Sequence, residues 1–103
     1  MIRNGRPYTN ENEWEDKGLL SDKSKAEQEM VLSWIREHIK ESRRVLRSRS
    51  SYGLKHDLQR DTRIYLTNNE FKDAMMLSGY MPVDPDALNW HYRIRPVTKP
   101  ANE

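Results

Sequence analysis

Cysteine is absent from this chain of 103 residues. A disulfide framework, a thiol nucleophile and a cysteine-ligated zinc site are therefore excluded. No apolar run approaches the roughly 20 residues that a membrane span needs, and the N-terminal segment has no apolar signal core. These absences predict a cytosolic protein with no membrane partner.

Apolar residues are scarce as well, at 35% of the chain, and phenylalanine occurs once. The 18 basic and 16 acidic side chains leave a net charge of only +2, so the chain lacks the charge imbalance typical of disordered proteins. Five Tyr, three Trp and five Met add core-forming material. We expect one small folded domain with a thin core.

The first helix is predicted to begin at Ser24, because Ser24 and Glu27 form a capping box. Apolar residues then recur at steps of three and four, which indicates an amphipathic helix. No glycine or proline interrupts the pattern before Gly53. The helix is predicted to run to about Arg47, and an earlier end near Ser42 stays open.

Two further helices follow. The second is predicted from Ser51 to about Thr62. The third has a capping box formed by Thr67 and Glu70, and Gly79 stands where a left-handed C-terminal cap belongs.

Apolar and polar residues alternate over 89–95, which predicts a half-buried strand paired with 64–66 or with the N-terminal segment. Residues 1–23 follow neither period and are interpreted as an extended N-terminal arm, and 96–103 as a flexible tail. The predicted fold is mainly α, with residues 24–95 forming a three-helix, helix-turn-helix-like domain. Its C-terminal strand can form a small β wing.

The predicted core contains the apolar residues that face inward from these elements: Trp34, Ile35, Ile39, Leu54, Leu58, Phe71, Met75, Trp90 and Tyr92.

The middle of the chain is basic, since residues 31–63 contain nine basic and four acidic side chains. A helix that continues to Arg47 would carry a basic stripe opposite its apolar face, formed by Arg36, Lys40, Arg43, Arg44 and Arg47. Such stripes are typical of nucleic-acid binding, because arginine holds phosphate oxygens bidentately. We predict contact with DNA, RNA or an acidic partner through this stripe, Arg49 and Lys55. The alternative is a solvated helix face.

The short connection between the second and third helices resembles a helix-turn-helix, with 67–78 as the recognition helix. Its outward positions are predicted to be Asn68, Asn69, Lys72, Asp73 and Met76. Asparagine can read adenine and lysine can read guanine, so Asn68, Asn69 and Lys72 join the candidate binding residues. The alternative is a three-helix core with no nucleic-acid role.

Signatures of catalysis are lacking. His38, His56 and His91 do not have metal-ligand spacing, and the chain contains neither a nucleophile elbow nor a phosphate-binding glycine loop. We expect no enzymatic activity, no catalytic residues, no metal and no cofactor.

Residues 51–94 resemble small, mostly uncharacterised proteins of phages, prophages and integrative elements of Gram-positive bacteria. The resemblance is carried by Ser-Tyr-Gly-Leu-Lys-His at 51–56, by Thr-Asn-Asn-Glu-Phe-Lys-Asp-Ala-Met at 67–75 and by Leu-Asn-Trp-His-Tyr-Arg-Ile at 88–94. It implies a mobile-element accessory protein acting in the bacterial cytoplasm.

Two functions are compatible with these observations. The first is nucleic-acid binding through the basic residues. The second is inhibition of a host defence or replication protein by docking, as anti-CRISPR proteins do. A virion or packaging accessory protein without a ligand is a third possibility.

Overall fold

The computed structural model describes residues 1–11 and 14–97. Within these residues it contains three α-helices: α1 (Lys25–His38), α2 (Ser51–Thr62) and α3 (Asn68–Leu77). Short strands form three antiparallel pairs. These pairs are β1 (Ile2–Arg3) with β2 (Arg6–Pro7), β3 (Thr9–Glu11) with β4 (Trp14–Asp16), and β5 (Ile39–Glu41) with β6 (Ile94–Pro96). The fold is therefore a mixture of α and β, and the prediction of a mainly α, helix-turn-helix-like domain is wrong.

The N-terminal segment forms two hairpins rather than an extended arm. Asn4 and Gly5, with φ of 52° and 76°, make the tight turn between β1 and β2. An Asn-Gly pair favours this turn because both positions tolerate left-handed backbone. Tyr8 and Thr9 are buried, and the segment packs against α3. The hairpins thus belong to the folded body.

The first helix ends at His38, well before the predicted end near Arg47 or Ser42. Ser24 and Glu27 form the predicted capping box at its start. At Ile39 the backbone becomes extended, with φ −125° and ψ 130°. The residues that follow pair with β6, more than 50 residues later in the chain. Sheet pairing with a distant segment therefore overrides the local helical pattern, and the predicted basic stripe does not lie on one helix.

The predicted strand over 89–95 is only partly regular. Trp90, Tyr92 and Ile94 are buried and Arg93 and Arg95 are exposed, so the predicted alternation is confirmed. Regular pairing is confined to β6, however, and its partner is β5 rather than 64–66 or the N-terminal segment.

The other two helices follow the sequence signals closely. The bounds of α2 match the prediction. Thr67 and Glu70 form the predicted capping box of α3. Gly79 has φ 91°, and the amide N–H groups of Gly79 and Tyr80 donate to the carbonyls of Met76 and Met75 at 3.0 and 2.9 Å. This is the Schellman arrangement, which glycine favours.

The polar face of α3 lies inside the protein, so its predicted role as an exposed recognition helix is wrong. Asn69, Lys72 and Asp73 are fully buried. The Asn69 amide nitrogen donates to the Pro7 and Gly18 carbonyls at 3.0 and 2.8 Å. The N-terminal segment thus covers the face that a DNA major groove would have to meet.

All nine predicted core residues are buried, including Phe71, which is fully buried. The core contains six further residues: Leu20, Val31, Ile64, Leu66, Ala74 and Ile94. Among the described residues, no helix is long and apolar enough to cross a membrane.

The predicted tail at 96–103 falls largely outside the described residues, which end at residue 97. Pro96 belongs to β6, and the Val97 amide N–H donates to the His38 carbonyl at 2.7 Å.

Candidate functional site

Basic side chains gather where α1 gives way to β5. Arg36 lies in the last turn of α1 and Lys40 lies in the middle of β5, and both are exposed. The Lys40 ammonium donates to the Arg36 carbonyl at 3.0 Å. This bond satisfies one of the carbonyls that the end of a helix leaves without a partner.

The last strand adds arginines to the same place. Lys40 and Arg95 are directly opposite each other in the β5–β6 ladder, and both are exposed. Arg93 lies just before β6, and its carbonyl accepts from the Ser42 amide at 3.0 Å. Like charges directly opposite in a sheet are destabilising. The repulsion between these two cations is therefore a cost to the sheet, and an anion bound to both would offset it.

The loop between β5 and α2 carries three more exposed arginines, Arg43, Arg44 and Arg47. It is fixed at Leu46, which packs on the core and whose amide N–H donates to the Tyr92 carbonyl at 2.9 Å. The arginines thus stand on an anchored loop next to β6. We call the set formed by the exposed basic residues of this region the cationic surface: Arg36, Lys40, Arg43, Arg44, Arg47, Arg93 and Arg95.

The charges of the cationic surface are not neutralised by ion pairs. Within residues 1–11 and 14–97, none of its seven members forms a salt bridge, whereas Arg6, Lys17, Lys23, Arg49 and Arg60 each do. Two acidic residues, Glu37 and Glu41, belong to the same region of the chain. Seven basic groups against two acidic ones leave a strongly positive surface.

A cleft of about 660 Å³ is lined by Arg43 and Arg93 together with Glu41. Tyr80 and Met81 also line it. The Tyr80 hydroxyl donates to the Ile39 carbonyl at 3.1 Å, and burial raises its pKa, with the Glu41 carboxylate adding to the rise. Two arginines and one glutamate thus line a concave site that is wide enough for a phosphate group.

The remaining predicted binding residues lie elsewhere. Arg49, which precedes α2, forms an ion pair at 3.0 Å with Asp57 in α2. Lys55 is buried, beside the rings of Tyr52 and Tyr65.

The three candidates from α3 have structural contacts. Asn69 and Lys72 are buried under the N-terminal segment. The Asn68 amide nitrogen donates to the Asn89 side-chain oxygen at 2.9 Å.

Sequence reasoning missed Arg93 and Arg95. Their alternation with buried aromatic residues marked them as exposed, but only the pairing of β6 with β5 shows that they join Lys40 and Arg43. That pairing has no local signal in the sequence.

Among the described residues, no three His, Asp or Glu side chains are arranged to hold a metal ion. The His38 ring stacks on Trp34 with 4.8 Å between ring centroids, and its Nδ1 lies 2.9 Å from the Trp34 carbonyl. This histidine has a packing role.

Comparisons of the chain with protein-family models, with curated proteins and with solved structures give no match.

Proposed function

We propose that this protein binds nucleic acid by its phosphate backbone at the cationic surface. The observation that carries the proposal is the juxtaposition of Lys40 with Arg95 across β5 and β6, where no carboxylate of residues 1–11 and 14–97 forms an ion pair with either of them. Arginine presents a planar fork that matches two phosphate oxygens, and most of the cationic surface is arginine.

The proposal does not include base reading by a helix in the major groove. Asn69 and Lys72, which would read bases from α3, are fully buried. Contacts to phosphate carry no sequence information. Binding is therefore expected to be similar for different nucleic-acid sequences.

The resemblance to mobile-element proteins supports a setting for this activity. An accessory protein of a phage or integrative element would meet the nucleic acid of the element or its host in the bacterial cytoplasm. We include that setting in the proposal.

The test compares two double variants that each remove two positive charges. Lys40→Gln with Arg95→Gln removes the facing pair, and Lys25→Gln with Arg63→Gln removes exposed charges outside the cationic surface. The first should weaken binding to all sequences alike and flatten the log–log salt dependence by roughly 1.5 to 2. The control variant should keep the affinity and the salt dependence of the unaltered protein. Equal losses in the two double variants would contradict a localised site.

A second candidate function is docking on an acidic patch of a host protein. Met81 favours it, because this apolar side chain is 57% exposed and lines the same cleft as Arg43 and Arg93. Protein interfaces combine methionine and arginine in this way. A protein partner would remain bound after nuclease treatment of a bacterial lysate and would be lost with Met81→Ser, whereas nucleic-acid binding would tolerate that change.

A further inference from the structure

A second cleft, of about 500 Å³, lies between β4, the start of α2 and the connection from α2 to α3. Its walls include three aromatic rings, Trp14, Tyr52 and Tyr65, together with Lys55. The loop that carries Arg43, Arg44 and Arg47 leads directly into the first turn of α2. Tyr52 and Lys55, which line the cleft, therefore follow these arginines closely in the sequence.

Lys55 is a buried cation without a polar partner. The residue is 6% exposed, and its Nζ lies 5.2 and 5.1 Å from the ring centroids of Tyr52 and Tyr65. Within the described part of the chain it makes no hydrogen bond or ion pair. Lys72, in contrast, is fully buried and donates to the Thr9 hydroxyl at 2.9 Å. The Lys55 ammonium, unlike the Tyr92 hydroxyl, is not sealed from solvent, and an anion in the cleft can accept the hydrogen bond that no described protein group takes.

The aromatic rings of the cleft are unusually accessible. Trp14 is 73%, Tyr52 is 53% and Tyr65 is 56% exposed, whereas Trp34 and Trp90 are buried. Apolar rings in water are unfavourable for stability alone. Exposed aromatic side chains beside a cation form the kind of site on which proteins stack the bases of single-stranded nucleic acids.

The acidic residue of this cleft is Asp16, and its carboxylate is engaged with the start of α3. It accepts from the Gly18 amide and the Thr67 hydroxyl, each at 3.1 Å, and from the Asn69 amide at 3.0 Å. Burial lowers the pKa of Lys55, and the negative charge of Asp16 partly opposes that shift. Because donors surround Asp16, its negative charge is partly compensated within the protein.

We propose that this cleft receives an unstacked base of a single-stranded nucleic acid, with the base on the aromatic rings and an adjacent phosphate on Lys55. This inference rests on the proposed function, to which it adds the class of nucleic acid. Bases in a duplex are stacked on one another and cannot enter the cleft. Single strands should therefore bind more tightly than duplexes, which contact the cationic surface alone.

The experiment measures the affinity of the full chain for a labelled oligothymidylate of about 15 nucleotides and for a duplex of equal length. Tyr65→Ala and Lys55→Met should each weaken single-strand binding about tenfold and leave duplex binding unchanged, as expected for loss of one stacked base. Tyr65→Phe keeps the ring, and Lys72→Met removes a buried ammonium that does not reach the cleft. Both controls should bind the single strand as the unaltered protein does.

Tryptophan fluorescence gives a direct readout of stacking. Trp14 is the exposed tryptophan among the three in the chain. Adding the oligothymidylate should quench its emission, and Trp14→Phe should abolish the quenching while most of the affinity remains. Absence of quenching in the unaltered protein at saturating oligothymidylate would contradict base stacking in this cleft.

The outcomes separate the inference from the proposed function. If Tyr65→Ala and Lys55→Met leave single-strand affinity unchanged while the Lys40 and Arg95 double variant loses affinity, the cleft inference is overturned and backbone binding stands. If the unaltered protein binds neither nucleic acid, both fail. Should Lys55→Met not fold, Tyr52→Ala takes its place, because Tyr52 is exposed.

Discussion

Arg6 holds Asp73 with two parallel hydrogen bonds, each 2.8 Å long, that join the N-terminal segment to α3. The Asp73 carboxylate is buried and also accepts from the Leu20 amide at 2.9 Å. This pair ties the N-terminal segment to the face of α3 that the segment covers.

Removing the guanidinium should destabilise the fold, because Asp73 would keep its charge with the Leu20 amide as its remaining donor. Arg6→Gln is expected to lower the free energy of unfolding by about 2 kcal/mol, less than for a fully buried pair because Arg6 is partly exposed. Arg60→Gln, at an exposed ion pair, should change it by less than about 0.5 kcal/mol. Urea denaturation measures both. Equal small effects would show that the hairpins are held mainly by apolar contacts.

The start of α3 offers a second test. The Thr67 hydroxyl accepts from the Glu70 amide and donates to Asp16, both at 3.1 Å. Thr67→Ala should lower the free energy of unfolding by about 1–2 kcal/mol, whereas Thr67→Ser should be nearly neutral because it keeps the hydroxyl. Equal losses in thermal melts of the two variants would assign the effect to packing of the threonine methyl group.

Lys72 should make stability depend on pH. Burial lowers its pKa from 10.5 to about 8. Between pH 8 and 10.5 the unfolded chain therefore holds more protons than the native protein, and this residue's contribution to stability rises with pH. Below pH 8 Lys72 is protonated in both the native and the unfolded state, so the free-energy cost of burying its ammonium does not change with pH.

The variant Lys72→Met removes this dependence. We compare the free energy of unfolding of the variant with that of the unaltered protein. The variant's value minus the unaltered protein's value should be largest below pH 8 and should fall by about 2–3 kcal/mol by pH 10. Lys25→Met, at an exposed site, should show a difference that is independent of pH. Denaturation midpoints across this range measure both, and a flat difference for Lys72→Met would mean that the native ammonium titrates normally.

Two tyrosines form a matched pair for hydrogen bonding. The Tyr92 hydroxyl is buried and has no hydrogen-bond partner among the described residues, whereas the Tyr80 hydroxyl donates to the Ile39 carbonyl. Tyr92→Phe should leave stability unchanged or raise it by about 1 kcal/mol, and Tyr80→Phe should lower it by about 1 kcal/mol. Thermal melts of the two variants give the comparison. A clear loss in Tyr92→Phe would reveal a partner for its hydroxyl.

Local signals in the sequence predict the helix starts well. Ser24 with Glu27 and Thr67 with Glu70 form capping boxes because each box needs only residues three apart. Gly79 ends α3 for an equally local reason, its left-handed backbone. Burial of the apolar positions is also predictable, since it follows from periodicity within one element.

Features that depend on distant partners are not predictable in this way. The helical pattern continues through Ile39, and only pairing with β6 makes this residue extended. Asn69 and Lys72 look like exposed residues of an amphipathic helix until the N-terminal segment covers them. The same long-range pairing brings Arg95 to Lys40, so the candidate site could be predicted in residue type but not in geometry.

Salt dependence of nucleic-acid binding tests the central claim most directly. If four to six members of the cationic surface contact phosphates, a plot of log affinity against log salt should have a slope of roughly −3 to −4 for single strands and −4 to −5 for duplexes. The measurement is a fluorescence titration of both nucleic acids with the unaltered protein at several salt concentrations. No detectable binding at about 50 mM salt, where such contacts are strong, would contradict nucleic-acid binding.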